Sequence, residues 1–419
     1  MEEDSRNVIC LFVELWLKKG VGMENNVRLS EEELEALRMK IRKVIEVDLE
    51  TLSDACENDN VFPEEMWEIG KKNDLFRLNI PTKYGGMGLC FEQYFTLLEE
   101  LARGNGGMRM FWHVANGLSW EIMCQHGNEE MKNEFLPKMA TGDYFTAFAL
   151  TEKDCGSGAD IRTKAEKKGD KWVLNGSKTL ISFTDICDSY YIIAVTDESK
   201  RKSGGHTAFF VPADSEGLRV ENMPHMMGCR GAGHGDVYLE NVEIPDEYRL
   251  GEVGQGLTVF MHALAISRAS IGVCLLGMSQ RFLEMAVARA KDRVTFGKPI
   301  AQRQAIQQQL ADMATQVMAL RLIAHECAVQ IDNDVEDLEM ITSMLKLHGI
   351  DTVKLVSDGA LEIMGGIGYF EDNPYGPLER MYRDARGMWL EEGPRTVQRL
   401  TIVRDVIEKG GELRHGNYC

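Results

Sequence analysis

Apolar positions divide this chain into three stretches of different period. From residue 30 to about 140 they recur at helical spacing. Leu29-Ser30-Glu31-Glu32-Glu33 reads as a helix cap followed by acids in the first turn, where negative charge meets unpaired amides. Pro63-Glu64-Glu65 opens another helix, because the missing proline amide is no loss there. Pro81-Thr82-Lys83-Tyr84-Gly85-Gly86 is a turn, 92–102 is an amphipathic helix, and Gly127-Asn128 breaks the helix after it.

Near residue 146 the period shortens to that of strands. Trp172-Val173-Leu174-Asn175-Gly176 reads as a strand entering a turn. Residues 190–195 form a continuous apolar run suited to a buried strand, and 207–211 and 237–244 give two more. Pro245 and Gly251 close this stretch near 255. Beyond it the spacing is helical again. Ile306, Leu310, Met313, Val317, Leu320, Ala324, Cys327 and Ile331 make the stripe of a long bundle helix. The expected α+β chain has a helical domain over 1–145, a β domain over 146–255 and a helical bundle over 256–419.

At 419 residues the chain exceeds one hydrophobic core, which agrees with that division. A net charge of −19 argues against nucleic acid or an anionic membrane as partner. The ten cysteines show no CxxC and no Cys/His metal spacing, so they read as reduced thiols of a cytoplasmic protein, with no metal site. The atypical extension, 1–22, holds an apolar run at 8–17 that is too short to span a bilayer and lacks a basic start. It reads either as an extra helix packed on the body or as sequence ahead of a start at Met23.

Three motifs carry candidate chemistry. Phe148-Ala149-Leu150-Thr151-Glu152 leads into Cys155-Gly156-Ser157-Gly158-Ala159-Asp160. Arg293-Val294-Thr295-Phe296-Gly297-Lys298-Pro299-Ile300 is followed by Gln304. Met364-Gly365-Gly366-Ile367-Gly368-Tyr369 precedes Arg383-Asp384-Ala385-Arg386 and then Glu391-Glu392-Gly393. Glycines without a Cβ let backbone approach a large ligand. A carboxylate followed by glycine past a helix suits a mobile general base; taken alone it is equally a solvated helix end. In this order and at these separations the motifs resemble the acyl-CoA dehydrogenase family, over nearly the whole chain from about residue 30.

Desaturating a thioester needs a base for the α-proton, an acceptor for the β-hydride and hydrogen bonds to the carbonyl. No side chain accepts hydride, so a cofactor is required. No GxGxxG follows a strand here, which argues against a nicotinamide. The resemblance implies FAD, an acyl-CoA substrate, electron-transferring flavoprotein as partner, and a homotetramer with FAD sites shared between subunits. It implies an N-terminal helical domain, a middle β domain and a C-terminal four-helix bundle.

The resemblance also assigns roles. Glu392, nine residues after Arg383 and just before Gly393, falls on the catalytic base, with Glu391 its nearest rival. Some members carry the base before an Arg matching Arg268, where this chain has Ser267. Leu150, Thr151, Gly156 and Ser157 match the loop around the flavin ring, and Ser182, after Ile181, matches a hydroxyl near flavin N5. A Trp usual in the family is Leu180 here. Arg293 matches an Arg that reaches the FAD pyrophosphate of a neighbouring subunit, with Phe296, Gln304, Glu362, Gly365 and Gly366 on the adenosine side. Glu362 stands where Gln is common, Pro394 where Thr is common, and Ala265 where an Asp often holds the CoA arm. Ser157, Arg268 and Gly393 fall at the substrate.

Arg109 falls where the glutaryl-CoA dehydrogenase branch binds a distal carboxylate. A buried Arg without an anion is costly, so an anionic acyl tail would account for it. The plain alternative is an Arg in solvent or paired with a protein acid. Gly106 and Gly107 beside it read as room for a bulky acyl group. The expected reaction is dehydrogenation of a carboxylate-bearing acyl-CoA of glutaryl or benzylsuccinyl type. Alternatives are a short-chain or branched acyl-CoA dehydrogenase, an enoyl-CoA reductase, or a flavin-binding interaction protein.

Overall fold

The computed structural model describes residues 27–413 apart from 156–159, 202–203, 224–225, 336 and 412. The apolar run at 8–17 and the question of Met23 lie outside the described residues. Ser30 caps α1 (Glu31–Lys43): its hydroxyl accepts from the Glu33 amide, and the Glu33 carboxylate takes the Ser30 amide at 2.9 Å. α2 (Ser53–Asp59) and α3 (Glu64–Lys72) follow, the latter with Pro63 as its cap residue. α4 (Phe91–Leu101) buries one face. α5 (Gly106–Val114) runs through five π-helical residues, Ala115–Ser119, into α6 (Trp120–His126). Asn128 caps α7 (Glu129–Thr141).

The middle of the chain forms one mixed sheet, order β6-β7-β3-β2-β4-β5-β8, with β1 (Thr146–Ala149) parallel to β4. Its strands are β2 (Lys164–Lys168), β3 (Lys171–Ser182), β4 (Ser189–Val195), β5 (His206–Pro212), β6 (Leu218–Met223), β7 (His234–Pro245) and β8 (Arg249–Leu250). β3 corrects the sequence reading. It does not turn at Asn175-Gly176 but continues to Ser182. Gly176, with φ +150°, sits at a register shift against β7, and a Cβ there would lie 2.7 Å from the Thr163 Cα. The glycine makes a bulge rather than a turn.

α8 (Gly256–Asp292) is the axis of the last stretch. It is long and apolar enough to cross a membrane, but 94% of its apolar window is buried in the protein, so it is a core helix. A hairpin of β9 (Val294–Thr295) and β10 (Lys298–Pro299) leads to α9 (Gln304–Asp332), α10 (Glu339–Met364), α11 (Leu378–Gly387) and α12 (Arg395–Glu408). The α9 stripe is buried from Met313 to Ile331, while Ile306 and Leu310 stay partly exposed. One core joins the first and last helical stretches. Phe111 of α5 is at its centre, with the rings of Phe62, Trp67 and Phe145 at 4.6, 4.9 and 4.9 Å.

Gly106 and Gly107 do not leave room for a ligand. A Cβ on Gly107 would meet the Arg230 carbonyl at 2.2 Å, and one on Gly106 would meet the Asp384 Cγ at 2.5 Å. The missing side chains let α5 press against α11 and the 229–232 loop. Gly107→Ala should therefore cost roughly 1–3 kcal/mol through overpacking, read as a lowered thermal midpoint. An unchanged midpoint would show that the loop yields freely.

Candidate active site

Between α11 and α12 the chain places two successive residues in the left-handed region, Glu392 at φ +50° and Gly393 at φ +91°. Glycine takes this without cost; a glutamate does so only when its surroundings impose it. The turn sends the two neighbouring carboxylates in different directions. Glu391 meets Arg109 of α5 in a two-bond fork, with Nη1 donating to Oε2 at 3.0 Å and Nη2 to Oε1 at 2.8 Å. Arg109 is 1% exposed. Burial alone would raise the Glu391 pKa, but the Arg109 charge and bonds, helped by His113 and Lys346, hold it below the ordinary value. Glu392 is the opposite case. Burial raises it, and Lys346, the Ser267 hydroxyl and Arg268 only partly offset this, while Glu391 adds to it. Adjacent carboxyls thus titrate apart, the usual mark of separate roles.

Ser267 and Arg268 come from α8 and Lys346 from α10. Ser267 carries no carboxylate and is no base, as its sequence implied, yet it belongs to the site. His113 Nε2 lies 2.8 Å from its oxygen. Burial, then the Arg109 charge, pushes the His113 pKa down to about 4, so the ring is neutral at pH 7. With its proton on Nε2, His113 donates to Ser267 and leaves the hydroxyl proton for Glu392. Arg268 is 6% exposed, and its buried Nε has no hydrogen-bond partner among the described residues. Sequence reasoning missed His113 and Lys346. His113 lies four residues after Arg109, on the same helix face, and Lys346 is a lone cation in an apolar helix face.

The β sheet carries the residues matched to the flavin ring. His234 is bonded through Nδ1 to the Ala232 carbonyl at 2.5 Å, so Nε2 accepts from Ser182 at 3.1 Å. The Ser182 proton, expected at flavin N5, is spent on His234. Burial pushes the His234 pKa below its ordinary value, against the Ala232 hydrogen bond and the Glu391 and Asp185 charges. Leu180, at φ +57°, is 57% exposed beside Ser182, whereas Ile181 points into the sheet core at 2%. Ile181 therefore offers a ligand only its backbone. Leu150 is buried, and the Thr151 carbonyl accepts from the Thr179 amide at 2.8 Å. Gly156 and Ser157 lie outside the described residues.

The remaining predicted residues sit apart. Arg293 follows the end of α8, is exposed, and among the described residues meets no acid. Phe296 tips the β9–β10 hairpin at 98% exposure, and Gln304 opens α9, also exposed. Gln309 donates to Glu362 at 2.7 Å. A Cβ on Gly365 or Gly366 would meet nothing within 4 Å. A guanidinium without an acid among the described residues, an exposed ring with the Arg303 guanidinium over it at 5.7 Å and a bare backbone turn fit the phosphate and adenosine parts of FAD. Leu180, exposed beside Ser182, leaves an apolar surface that fits its planar ring.

Two adjacent carboxyls that titrate apart on a strained turn are the kind of pair that acid–base chemistry uses. The N-terminal, middle and C-terminal domain models of acyl-CoA dehydrogenase match residues 31–143, 147–242 and 254–407. The chain is 34% identical to the caffeyl-CoA reductase–Etf complex subunit CarC of Acetobacterium woodii, over 90% of this chain and 99% of that one. It is similar in structure to a glutaryl-CoA dehydrogenase bound to glutaryl-CoA (TM-score 0.83, 29% identity, covering 94% and 100% of the two chains). Glutaryl-CoA dehydrogenase from Mycobacterium smegmatis in complex with FADH2 is also similar (TM-score 0.83, 25% identity, 92% and 97%). The chain belongs to the acyl-CoA dehydrogenase family, as an oxidoreductase that acts on acyl-CoA with FAD as cofactor.

Arg109 is corrected in its physical basis. Its counter-ion is Glu391, so burial by itself calls for no anionic ligand. Arg109→Met should strand Glu391 and cost about 3–5 kcal/mol of stability, with Arg109→Met/Glu391→Gln recovering much of it in denaturant melts. Glu391 is held below its ordinary 4.5, so the stability from the pair is full above that pH and lost as pH falls through the lower folded value. The double variant should lack this acid dependence.

Proposed function

We propose that this enzyme interconverts an acyl-CoA and its trans-2-enoyl-CoA, with Glu392 exchanging the α-proton. The observation that carries this is the strained Glu392 turn, whose carboxyl is pushed above its ordinary value beside Ser267 and Arg268. Such a group is a base when ionised and an acid when protonated, so it serves either direction. Bound FAD supplies the acceptor or donor of the β-hydride. The chain's own residues do the rest: Glu392 holds the α-proton, Arg268 offers a buried cation to the thioester, and Ser267 orients the carboxylate. A flavin-binding protein without activity would have no use for the backbone strain at Glu392.

The Arg109–Glu391 fork bears on the acyl group. A distal carboxylate would gain its cation only by displacing Glu391, whereas an uncharged tail leaves the pair intact. The reading is therefore a short-chain, branched or other uncharged acyl group, and the glutaryl or benzylsuccinyl type becomes the alternative. Electrons pass through an electron-transferring flavoprotein; the Etf-linked reductase relative supports that partner and the reductive direction. A cytoplasmic homotetramer is the proposed form. Exposed Phe296, Tyr369, Phe370 and Ile407 (98%, 82%, 65% and 73%) support burial against other copies.

Glu392→Gln keeps the shape and removes the basicity. It should retain FAD and bind substrate, while flavin reduction falls by about 10²–10⁴. Glu391→Gln should lose stability through Arg109 yet keep the chemistry. Butyryl-CoA should bleach the flavin better than glutaryl-CoA; the reverse order would mean that Glu391 yields Arg109 to the substrate. Activity in Glu392→Gln would place the base elsewhere.

A further inference from the structure

We propose that Lys346 and Gln398 are positioning residues for the base, clamping the Glu391-Glu392-Gly393 turn by its backbone carbonyls. This rests on Glu392 being the base. Left-handed φ at Glu392 costs energy that the local sequence does not return, so something must hold it. Three consecutive carbonyls are held. Lys346 Nζ donates to the Glu391 carbonyl and, at 2.7 Å, to the Gly393 carbonyl. Gln398 Nε2 donates to the Glu392 carbonyl at 3.1 Å and the Gly393 carbonyl at 3.0 Å. Both side chains are 0% exposed, and they come from separate helices, α10 and α12.

The choice of partners is informative. Lys346 lies within reach of two carboxylates, yet its hydrogen bonds go to main-chain oxygens. Burying an ammonium for this purpose is costly unless the position of the turn matters. The charged groups that reach Lys346 are Glu391 and Glu392 on the turn and Arg268 on α8; α5 adds the titratable but neutral His113, and α12 offers it the neutral Gln398. Its positive charge opposes the effect of burial on Glu392, so it tunes the base as well as aiming it.

The two clamps should be separable by a pH profile of flavin reduction on FAD-loaded enzyme. Lys346→Met removes aim and charge. Its reduction rate should fall roughly tenfold or more near pH 6 and less at pH 9, because Glu392 then ionises at higher pH, with substrate affinity little changed. Lys346→Arg keeps a cation and donors and should restore the acidic limb. Gln398→Leu should lower the rate at every pH without moving that limb. A Lys346→Met profile that superimposes on the parent overturns the proposal. If Lys346→Met does not fold, Gln398→Leu decides: an unchanged rate overturns the clamp. Glu392→Gln run alongside separates the outcomes, since activity there sinks the base assignment and not the clamp geometry.

Discussion

Two consecutive, largely buried carboxylates repel each other and each loses hydration, so at least one must be neutralised. Glu391 is, by Arg109 across 282 residues of chain. That single fork makes the rest of the site possible. It removes one negative charge from the pocket, leaves Glu392 as the odd carboxyl, and sets the distance between α5 and the turn. α5 must come close for this. Gly106 and Gly107 allow it, and Asp384 secures it by accepting from the Gly106 amide at 3.0 Å and the Cys229 amide at 2.6 Å. The site is thus built by helix approach first and by charge second.

The cost of this arrangement is spread over neutral partners. His113 is kept uncharged by burial and by Arg109, so it hydrogen-bonds Ser267 without adding a second cation. Lys346 is pushed down to about 8 by burial, against the pull of Glu392 and Glu391 and with Arg268 adding to the burial. One full cation pair on Glu391, and Lys346 with Arg268 acting on Glu392, therefore serve two carboxyls.

The motifs were legible where backbone geometry follows from local residues. Glu392-Gly393 signalled a turn, Ser30 a cap, and residues 190–195 a buried strand. What failed depended on distant partners. Arg109 looked like a cation lacking an anion because nothing local reveals a counter-ion near the other end of the chain. Gly106-Gly107 looked like space because sequence does not say whether a missing Cβ faces a ligand or another backbone. Gly176 looked like a turn because a bulge uses the same residue for the same conformational freedom. Ser267 was set aside for lacking a carboxylate, when its contribution is a hydroxyl shared between His113 and Glu392.

The carboxylate turn and the Arg293–Gly365 region differ in how far one chain completes them. Around Glu392, cations, hydroxyls and carbonyl donors from α5, α8, α10 and α12 meet one another, and α8 and α10 bury most of their contact face. Around Arg293 and Gly365 fewer groups meet: among the described residues the Arg293 guanidinium has no acid, the Phe296 ring carries only the Arg303 guanidinium over it, and Gly365 and Gly366 face open space. A bare cation and bare backbone are poor features for a surface facing only water, because neither gains from burial or pairing. They become favourable when a polyanion and a second apolar surface arrive together. The carboxylate turn therefore finds its partners within the folded chain, whereas the residues proposed to anchor the cofactor leave their surfaces open.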